Sequence, residues 1–366
     1  MENIIDYAKK NFKSFARDPF NDVDSVILSW ISYLCLECVP ALKRRQIGAT
    51  FRDLFHAELF EKLMQNSLYP ELGIELLTAV TASPRFRNIR LFAFESDFDA
   101  NFDNSTQFAA LTYKINPNLC YIAYRGTDCT FIGWKEDFEM ALSESTPSQE
   151  LAADYLSRMA ARFQGKLLIG GHSKGGNHAV YAAAHAAPDI QARIQAVYSH
   201  DGPGLKSNET QLPGFLAIKD RIHKTIPQSS LIGMIFDQEC ECSIVKSDQI
   251  SVYQHNPFSW EVEGSSFVSK DKLTGDARRF NIKLNNWLAQ LEEEDRRKFI
   301  DGIFSVLEQT NVVSFSDLRS NLKGNIPAII RTLSDMDPEM QKFLFHTLKL
   351  LLKSASKEES DEDTVE

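Results

Sequence analysis

The residues with the clearest chemical potential in this 366-residue chain surround one serine in the stretch "LLIGGHSKGGNHAVYAAAH". An apolar run leads into Gly171-His172-Ser173-Lys174-Gly175, and an alanine-rich segment follows. This is a G-x-S-x-G sequence between a predicted strand and a predicted helix, the context in which a sharp turn raises a serine hydroxyl above a sheet. The chemistry that it indicates is acyl transfer through a covalent intermediate on Ser173.

Two other glycine-rich motifs do not fit this stretch. A Walker phosphate loop needs Gly-Lys-Ser or Gly-Lys-Thr, whereas Gly165-Lys166 is followed by Leu167. No register of the glycines supplies the G-x-G-x-x-G dinucleotide fingerprint. The turn also directs the first helical amides, including that of Lys174, toward the space where an oxyanion would develop. The alternative is a strand-to-helix turn with an incidental serine.

A serine nucleophile in this context needs an acid and then a histidine further along the chain. His178 and His185 lie on the predicted helix after the turn, and His346 lies in a helical C-terminal segment. His255 follows the predicted strand "QISVY", in a loop at the end of that strand that would present it above the sheet. His255 is therefore the leading candidate for the base, and the alternative is a hydrogen-bonded structural histidine.

The elements that must position these residues alternate between strand and helix. Helical periodicity extends to about Leu77, where the strand signals begin. The predicted strands are "IRLFAF", "FAALTYKI", "CYIAYRG", "KLLIGG", "IQAVYSHDG", "RIHKTIP" and "QISVYQH". Helical segments between several of them favour an α/β fold with a mostly parallel sheet flanked by helices.

The chain divides into three predicted regions. Residues 1–284 are predicted to form one α/β domain that includes the N-terminal helices, and residues 285–355 contain amphipathic helical patterns with no strand pattern between them. Residues 356–366 are polar and acidic, a composition that predicts a disordered tail. The N-terminal aromatic stripes fit either a lid over the site or ordinary core.

Composition limits the partners and the compartment. The formal net charge of −10 gives no general attraction to nucleic acid or an anionic membrane surface. The first residues lack the pattern of a signal peptide, so we expect a cytoplasmic protein. The apolar stretch "SVILSWISYLCLECVPAL" contains Glu37 and a proline, which favours a buried helix over an integral membrane segment.

The six cysteines are sparse and irregularly spaced, which argues against a disulfide framework. Cys35 and Cys38 form C-x-x-C, and with Cys240 and Cys242 they raise the possibility of a zinc site. The first pair lies in an apolar helical pattern without a glycine knuckle, so buried thiols are the better interpretation. We therefore expect neither a metal nor an organic cofactor.

Several stretches together resemble a known family. They are "DPFNDVDSVILSWISYL", "YIAYRGTDCTFIGWKEDFEMAL", "IGGHSKGGNHAVYAA", "SHDGPG" and "YQHNPFSWEV", in this order. The set resembles the Mbeg1-like family, which is similar to class 3 lipases among the α/β-hydrolases. The resemblance implies that Ser173 is the nucleophile and His255 the base. It also implies that Thr127, after Arg-Gly in "YRGTD", contributes to the oxyanion hole, and that Trp134 and Asp137 support that loop.

The acid departs from the class 3 lipase pattern. Those enzymes carry it in an Asp-x-Val-Pro-like stretch, and the corresponding stretch here is "PQSSLIGM", with serine in place of the acid. Asp201, at the end of the predicted strand "QAVYSH", is then the leading candidate, followed by Asp237 and Asp248. The alternative for Asp201 is a turn-capping role in "DGPG".

These observations predict a serine hydrolase, lipase- or esterase-like, that acts on a small-molecule or lipid acyl ester. Its catalytic residues would be Ser173, His255 and Asp201, with Thr127 and the Lys174 amide as the oxyanion hole. The competing hypothesis is a non-catalytic α/β-hydrolase scaffold that binds a ligand or a partner, because fold does not fix function.

Overall fold

The computed structural model describes residues 1–43, 48–99, 106–127, 140, 145–206, 208–230, 232–236, 241–275, 277–279, 282 and 285. The predicted helical region 285–355, apart from Asn285, and the predicted acidic tail 356–366 lie outside these residues. Those two predictions, and the domain boundary between them, stay predictions.

A seven-stranded sheet runs through the described part of the chain, with its strands in chain order. Its strands are β1 (Arg90–Asp99), β2 (Thr106–Asn116), β3 (Leu119–Tyr124), β4 (Lys166–His172), β5 (Ile194–His200), β6 (Ile222–Pro227) and β7 (Cys242–Val245). The first three strands pair antiparallel, and the pairs from β3 to β7 are all parallel. A separate antiparallel pair joins β8 (Val262–Glu263) to β9 (Ser266–Phe267). The mostly parallel sheet confirms the predicted α/β class.

Helices lie on both faces of this sheet. In the described residues they are α1 (Ile4–Lys10), α2 (Asp22–Ile31), α3 (Pro40–Lys43), α4 (Phe51–Leu54), α5 (Ala57–Leu63), α6 (Pro70–Ala82), α7 (Pro147–Arg162), α8 (Lys174–His185), α9 (Pro188–Gln191) and α10 (Pro213–Ile218). Short 3₁₀ helices cover Leu36–Cys38, Glu209–Gln211, Lys219–Arg221, Ser251–His255 and Pro257–Ser259. None of the helices in the described residues is both long enough and apolar enough to span a membrane.

The strand period of two divides the core between the two faces. In β4, Leu168 belongs to the cluster formed with the N-terminal helices, whereas Leu167 and Ile169 belong to the cluster formed with α7, α8 and α10. Helix α2 contacts β4 from the first side, and α8 contacts β4 and β5 from the other. The apolar stripe of α2 is therefore core, and the turn after β4 lies between the two layers.

One element prediction holds only in part, and another is wrong. The long apolar stretch forms no single helix: α2 ends at Ile31, and Ser32 Oγ donates to the carbonyl of Ser29 at 2.6 Å in the turn that follows. The segment "QISVYQH" forms no strand either. Tyr253 N–H bonds to the Ile250 carbonyl and Asn256 N–H to the Tyr253 carbonyl, so local i→i+3 bonds replace a ladder. The last strand of the seven-stranded sheet is β7, which the sequence did not predict.

Candidate active site

Ser173 occupies the turn between β4 and α8 in a strained conformation. Its φ of 57° and ψ of −132° are rare for residues other than glycine and cost about 1–3 kcal/mol. Residues with such strained backbone angles cluster at functional sites. Its N–H donates to the carbonyl of His200 at the end of β5, at 2.9 Å. A Cβ at Gly171 would lie 2.2 Å from the carbonyl carbon and oxygen of Gly175. Only glycine at position 171 permits this reversal of the chain.

The predicted oxyanion residues flank this turn. Lys174 begins α8, a 12-residue helix, so its amide belongs to the first turn at the positive end of the helix dipole. The Lys174 ammonium is buried and donates to the Gln107 carbonyl at 3.0 Å. Thr127 is also buried, and Gly126 before it approaches the turn, since a Cβ there would lie 2.5 Å from the His172 carbonyl oxygen. The predicted supporting residues Trp134 and Asp137 lie outside the described residues.

Asp201 follows β5 directly and is almost fully buried, with 1% of its surface exposed. Its φ of 49° turns the chain at the end of the strand, and its N–H donates to the carbonyl of Thr225 in β6 at 2.7 Å. Its Oδ1 accepts from the Ser230 hydroxyl at 2.5 Å and from the Gly233 amide at 3.2 Å. These contacts fix the carboxylate and leave Oδ2 for another donor.

That donor is His255, at the end of the 3₁₀ helix Ser251–His255. Its Nδ1 lies 2.6 Å from Asp201 Oδ2. A carboxylate oxygen without a proton only accepts, so Nδ1 carries the hydrogen, and in the neutral ring Nε2 is the basic nitrogen. The side chain of His255 keeps 24% of its surface exposed, whereas that of Asp201 is 1% exposed. The ring is thus oriented on one side and reachable on the other.

The other candidate acids do not occupy this position in the described residues. Asp248 is exposed, and its backbone N–H donates to the carbonyl of Ser259 at 3.1 Å. Asp237 lies outside the described residues. The carboxylate at His255 is that of Asp201.

The other histidines after the turn have different partners. His178 Nε2 lies 2.9 Å from the buried Ser148 hydroxyl, and His185 Nε2 lies 2.6 Å from a Glu209 carboxylate oxygen. His346 lies outside the described residues. His255 alone among these described histidines pairs with the carboxylate at the end of β5.

Sequence reasoning missed two residues that connect the serine turn to His255. Among the described side chains, Ser173 Oγ forms no hydrogen bond to His255, and the connection runs through His172. Its Nε2 lies 2.8 Å from the His255 carbonyl oxygen, and its Nδ1 lies 3.0 Å from the Tyr33 hydroxyl. His172 stands in the motif itself and so could have been noticed, but Tyr33 is separated from it by 139 residues.

The strained serine lies at the carboxyl end of a central parallel strand, directly before a helix. An Asp–His pair lies at the carboxyl end of the neighbouring strand, and helices flank the mostly parallel sheet. These features define a protein of α/β-hydrolase-like fold. The chain belongs to the Mbeg1-like family, whose model matches residues 80–305. The family resemblance in the sequence is thereby confirmed.

Three solved lipase structures are similar to this chain at low identity. M37 lipase is 12% identical, with 57% of this chain and 68% of that chain covered and a TM-score of 0.35. The Rhizomucor miehei lipase propeptide complex is 14% identical, with 46% and 58% covered and a TM-score of 0.33. Lipase II from Rhizopus niveus is 11% identical, with 55% and 77% covered and a TM-score of 0.33. A search of curated proteins finds no match.

Proposed function

We propose that the protein is a lipase- or esterase-like serine hydrolase that cleaves an acyl ester. Ser173 is its nucleophile, His255 its general base and Asp201 the acid that orients His255. The observation that carries this proposal is the 2.6 Å contact between His255 Nδ1 and Asp201 Oδ2. It leaves Nε2 of His255 as the basic nitrogen. His255 contacts the residues at the ends of β4 and β5, and the serine held at φ 57° directly follows β4.

In the proposed reaction, His255 Nε2 takes the proton of Ser173 as Oγ attacks the ester carbonyl carbon. The oxyanion that forms is held by the Lys174 amide at the N-terminus of α8 and by Thr127. His255 then gives its proton to the leaving alcohol as the C–O bond breaks and the acyl-enzyme forms. Water completes the cycle by the same steps, and Asp201 stabilises the imidazolium in both halves.

Labelling with a fluorophosphonate probe tests this function, because the probe needs an activated serine and not merely a pocket. Ser173→Ala should abolish labelling and lower kcat for a p-nitrophenyl ester by about 10⁶-fold, the cost of losing a triad nucleophile. Ser229→Ala is the matched control, since the Ser229 hydroxyl bonds to the Thr274 hydroxyl at 3.0 Å on the surface. Hydrolysis that persists in folded Ser173→Ala would show a different nucleophile. An unlabelled wild-type protein would favour a ligand-binding scaffold.

A further inference from the structure

We propose that Tyr33 and His172 are positioning residues that hold the backbone of His255, so that the N-terminal helical segment takes part in building the site. The inference rests on the function proposed above. It is carried by a chain of hydrogen bonds from the Tyr33 hydroxyl through both nitrogens of His172 to the His255 carbonyl.

The hydrogen bonds determine the state of His172. The His255 carbonyl oxygen 2.8 Å away can only accept, so His172 Nε2 must carry a hydrogen. Burial lowers the pKa of His172 to about 3, so the ring is neutral near pH 7 and Nδ1 is an acceptor. The Tyr33 hydroxyl, 3.0 Å from Nδ1, is therefore the donor in that contact. Tyr33 thus supplies the donor for Nδ1 in the tautomer of His172 that binds His255.

Tyr33 lies in the turn that follows α2, on the face of the sheet covered by the N-terminal helices. The His172 carbonyl oxygen, 3.2 Å from the Tyr33 hydroxyl, is a second and longer acceptor for its single hydrogen. A Cβ at Gly126 would lie 2.0 Å from this hydroxyl, so only glycine at that position leaves room for the phenol. One phenol oxygen therefore touches both the nucleophile turn and the segment that leads to Thr127.

The His255 segment depends on such side-chain contacts because it is not a strand. A strand would be held to its neighbours by a ladder of backbone hydrogen bonds, whereas the 3₁₀ helix Ser251–His255 bonds locally. Trp260 Nε1 donates to the Gln254 carbonyl at 2.7 Å, and His172 performs the same task for His255. Its ring centroid lies 4.5 Å from that of His255, so it also limits movement of the base by packing.

Three substitutions test this role through p-nitrophenyl ester kinetics. Tyr33→Phe should lower kcat by roughly tenfold and His172→Phe by roughly 10²-fold, each with little change in KM, since a base misplaced by 1 Å costs about 10²-fold. His172→Gln, whose side-chain amide can donate to the His255 carbonyl, should recover most of the rate. The double variant Tyr33→Phe/His172→Phe should lose less than the product of the two single losses, because Tyr33 reaches His255 through the His172 ring.

Tyr113→Phe is the matched control. The buried Tyr113 hydroxyl donates to the Leu28 carbonyl at 2.9 Å and so also connects the sheet to α2, but through neither His172 nor His255. It should leave kcat unchanged. Equal losses of kcat in Tyr113→Phe and Tyr33→Phe would show general loosening of the helix layer and overturn the proposal. So would wild-type kcat in His172→Phe, or additive losses in the double variant.

A spectroscopic measurement separates this inference from the proposed function. Nitrogen-15 NMR of labelled histidine in the Ser173→Ala background should show His172 as the Nε2–H tautomer, and Tyr33→Phe should change its Nδ1 resonance. The same spectra should show a shift of the His255 Nδ1–H resonance in His172→Phe. If Ser173→Ala keeps full ester turnover, the function fails while these spectra still test the connection. A His172 resonance unaffected by Tyr33→Phe overturns the inference, whatever the activity.

Discussion

Both carboxylate oxygens of Asp201 form hydrogen bonds to residues far along the chain. Oδ2 faces His255 Nδ1 at 2.6 Å, while Oδ1 accepts from the Ser230 hydroxyl and the Gly233 amide. A capping aspartate would bond to nearby backbone in its own turn. The partners of Asp201 lie 29 to 54 residues further along the chain. Its side chain therefore connects distant segments and does not act as a local cap.

We expect Asp201→Asn to leave the protein folded and to lower kcat by about 10⁴-fold. An amide nitrogen facing His255 Nδ1 favours the wrong tautomer, and an amide cannot stabilise the imidazolium. Ester turnover and thermal unfolding should be measured beside Asp248→Asn, a control whose side chain is exposed. Normal turnover in Asp201→Asn combined with a crippled Asp237→Asn would move the acid to the later residue.

The carboxylate beside His255 shows how much of this contact the sequence could predict. Its place at the end of the strand after Ser173 made Asp201 the leading candidate, because the stretch "PQSSLIGM" has serine where the class 3 lipase resemblance places an acid. In the structure that stretch faces the same carboxylate, because Ser230 Oγ donates to Asp201 Oδ1. Sequence alone left the capping alternative open, since the contact with His255 joins residues 54 positions apart.

At the scale of elements, the parallel register of β4 and β5 places two histidines side by side. His172 pairs with His200, and both are buried on the face that the N-terminal helices cover. His200 Nε2 lies 2.8 Å from the Ser25 hydroxyl of α2. Burial lowers the pKa of His172 to about 3 and that of His200 well below its ordinary value. The strand ends thus keep two neutral imidazoles next to the candidate site.

These depressed pKa values predict a pH dependence of stability. In the unfolded chain histidine titrates near pH 6.5, so below that pH the unfolded state binds protons that the folded state does not. The free energy of unfolding should fall as the pH decreases from about 6.5 toward 3, with each histidine adding a slope of up to about 1.4 kcal/mol per pH unit. Urea unfolding between pH 7 and 5 measures this slope above most carboxylate titrations.

His172→Gln should reduce that slope because it removes one of the two protons taken up on unfolding. His56→Gln is the control, since the His56 side chain is 54% exposed, and it should leave the slope unchanged. A slope in His172→Gln equal to that of the wild type would show that His172 is protonated in the folded protein. The neutral tautomer assigned above would then be wrong.

The strand wrongly predicted at "QISVYQH" and the missed strand β7 have different physical causes. "QISVYQH" has the alternation of a strand, but Tyr253 and Asn256 satisfy their N–H groups locally, and Pro257 follows. β7 has only four residues, Cys242–Val245, too few for a clear pattern. The strands β1 to β6 were predictable because each contains a short run of apolar, aromatic or β-branched residues bounded by polar or glycine-containing segments. Periodicity identifies long elements, whereas short ones are decided by tertiary contacts.

The N-terminal helices cover one face of the sheet. Ser29 of α2 lies 2.6 Å from the Tyr121 hydroxyl of β3, and Tyr33 reaches the serine turn. Their amphipathic pattern predicted helices but not which surface they cover, because that depends on contacts between residues about 90 to 140 positions apart. The face of the sheet that carries His172 and His200 is buried only because this layer is present.

One buried ion pair joins α2 to the segment that follows α6. Arg85 bonds to both carboxylate oxygens of Asp24, at 2.7 and 2.5 Å, and both side chains are 0% exposed. Arg85→Met would leave a buried charge unpaired and should lower the free energy of unfolding by about 3–5 kcal/mol in urea. Arg158 binds Glu95 in the same bidentate way, but the two side chains are 37% and 36% exposed.

Arg158→Met should therefore cost at most about 1 kcal/mol, because solvent screens an exposed pair. Asp24→Asn added to Arg85→Met removes the unpaired charge and should recover part of the loss. Equal costs for the two arginine substitutions would contradict the argument from burial. Ester turnover of both variants should also be measured at a temperature where both are folded. A larger loss in Arg85→Met than in Arg158→Met would show that the packing of the N-terminal helices affects the candidate site. We expect this effect to reach His255 through the hydrogen bonds of Tyr33 and His172.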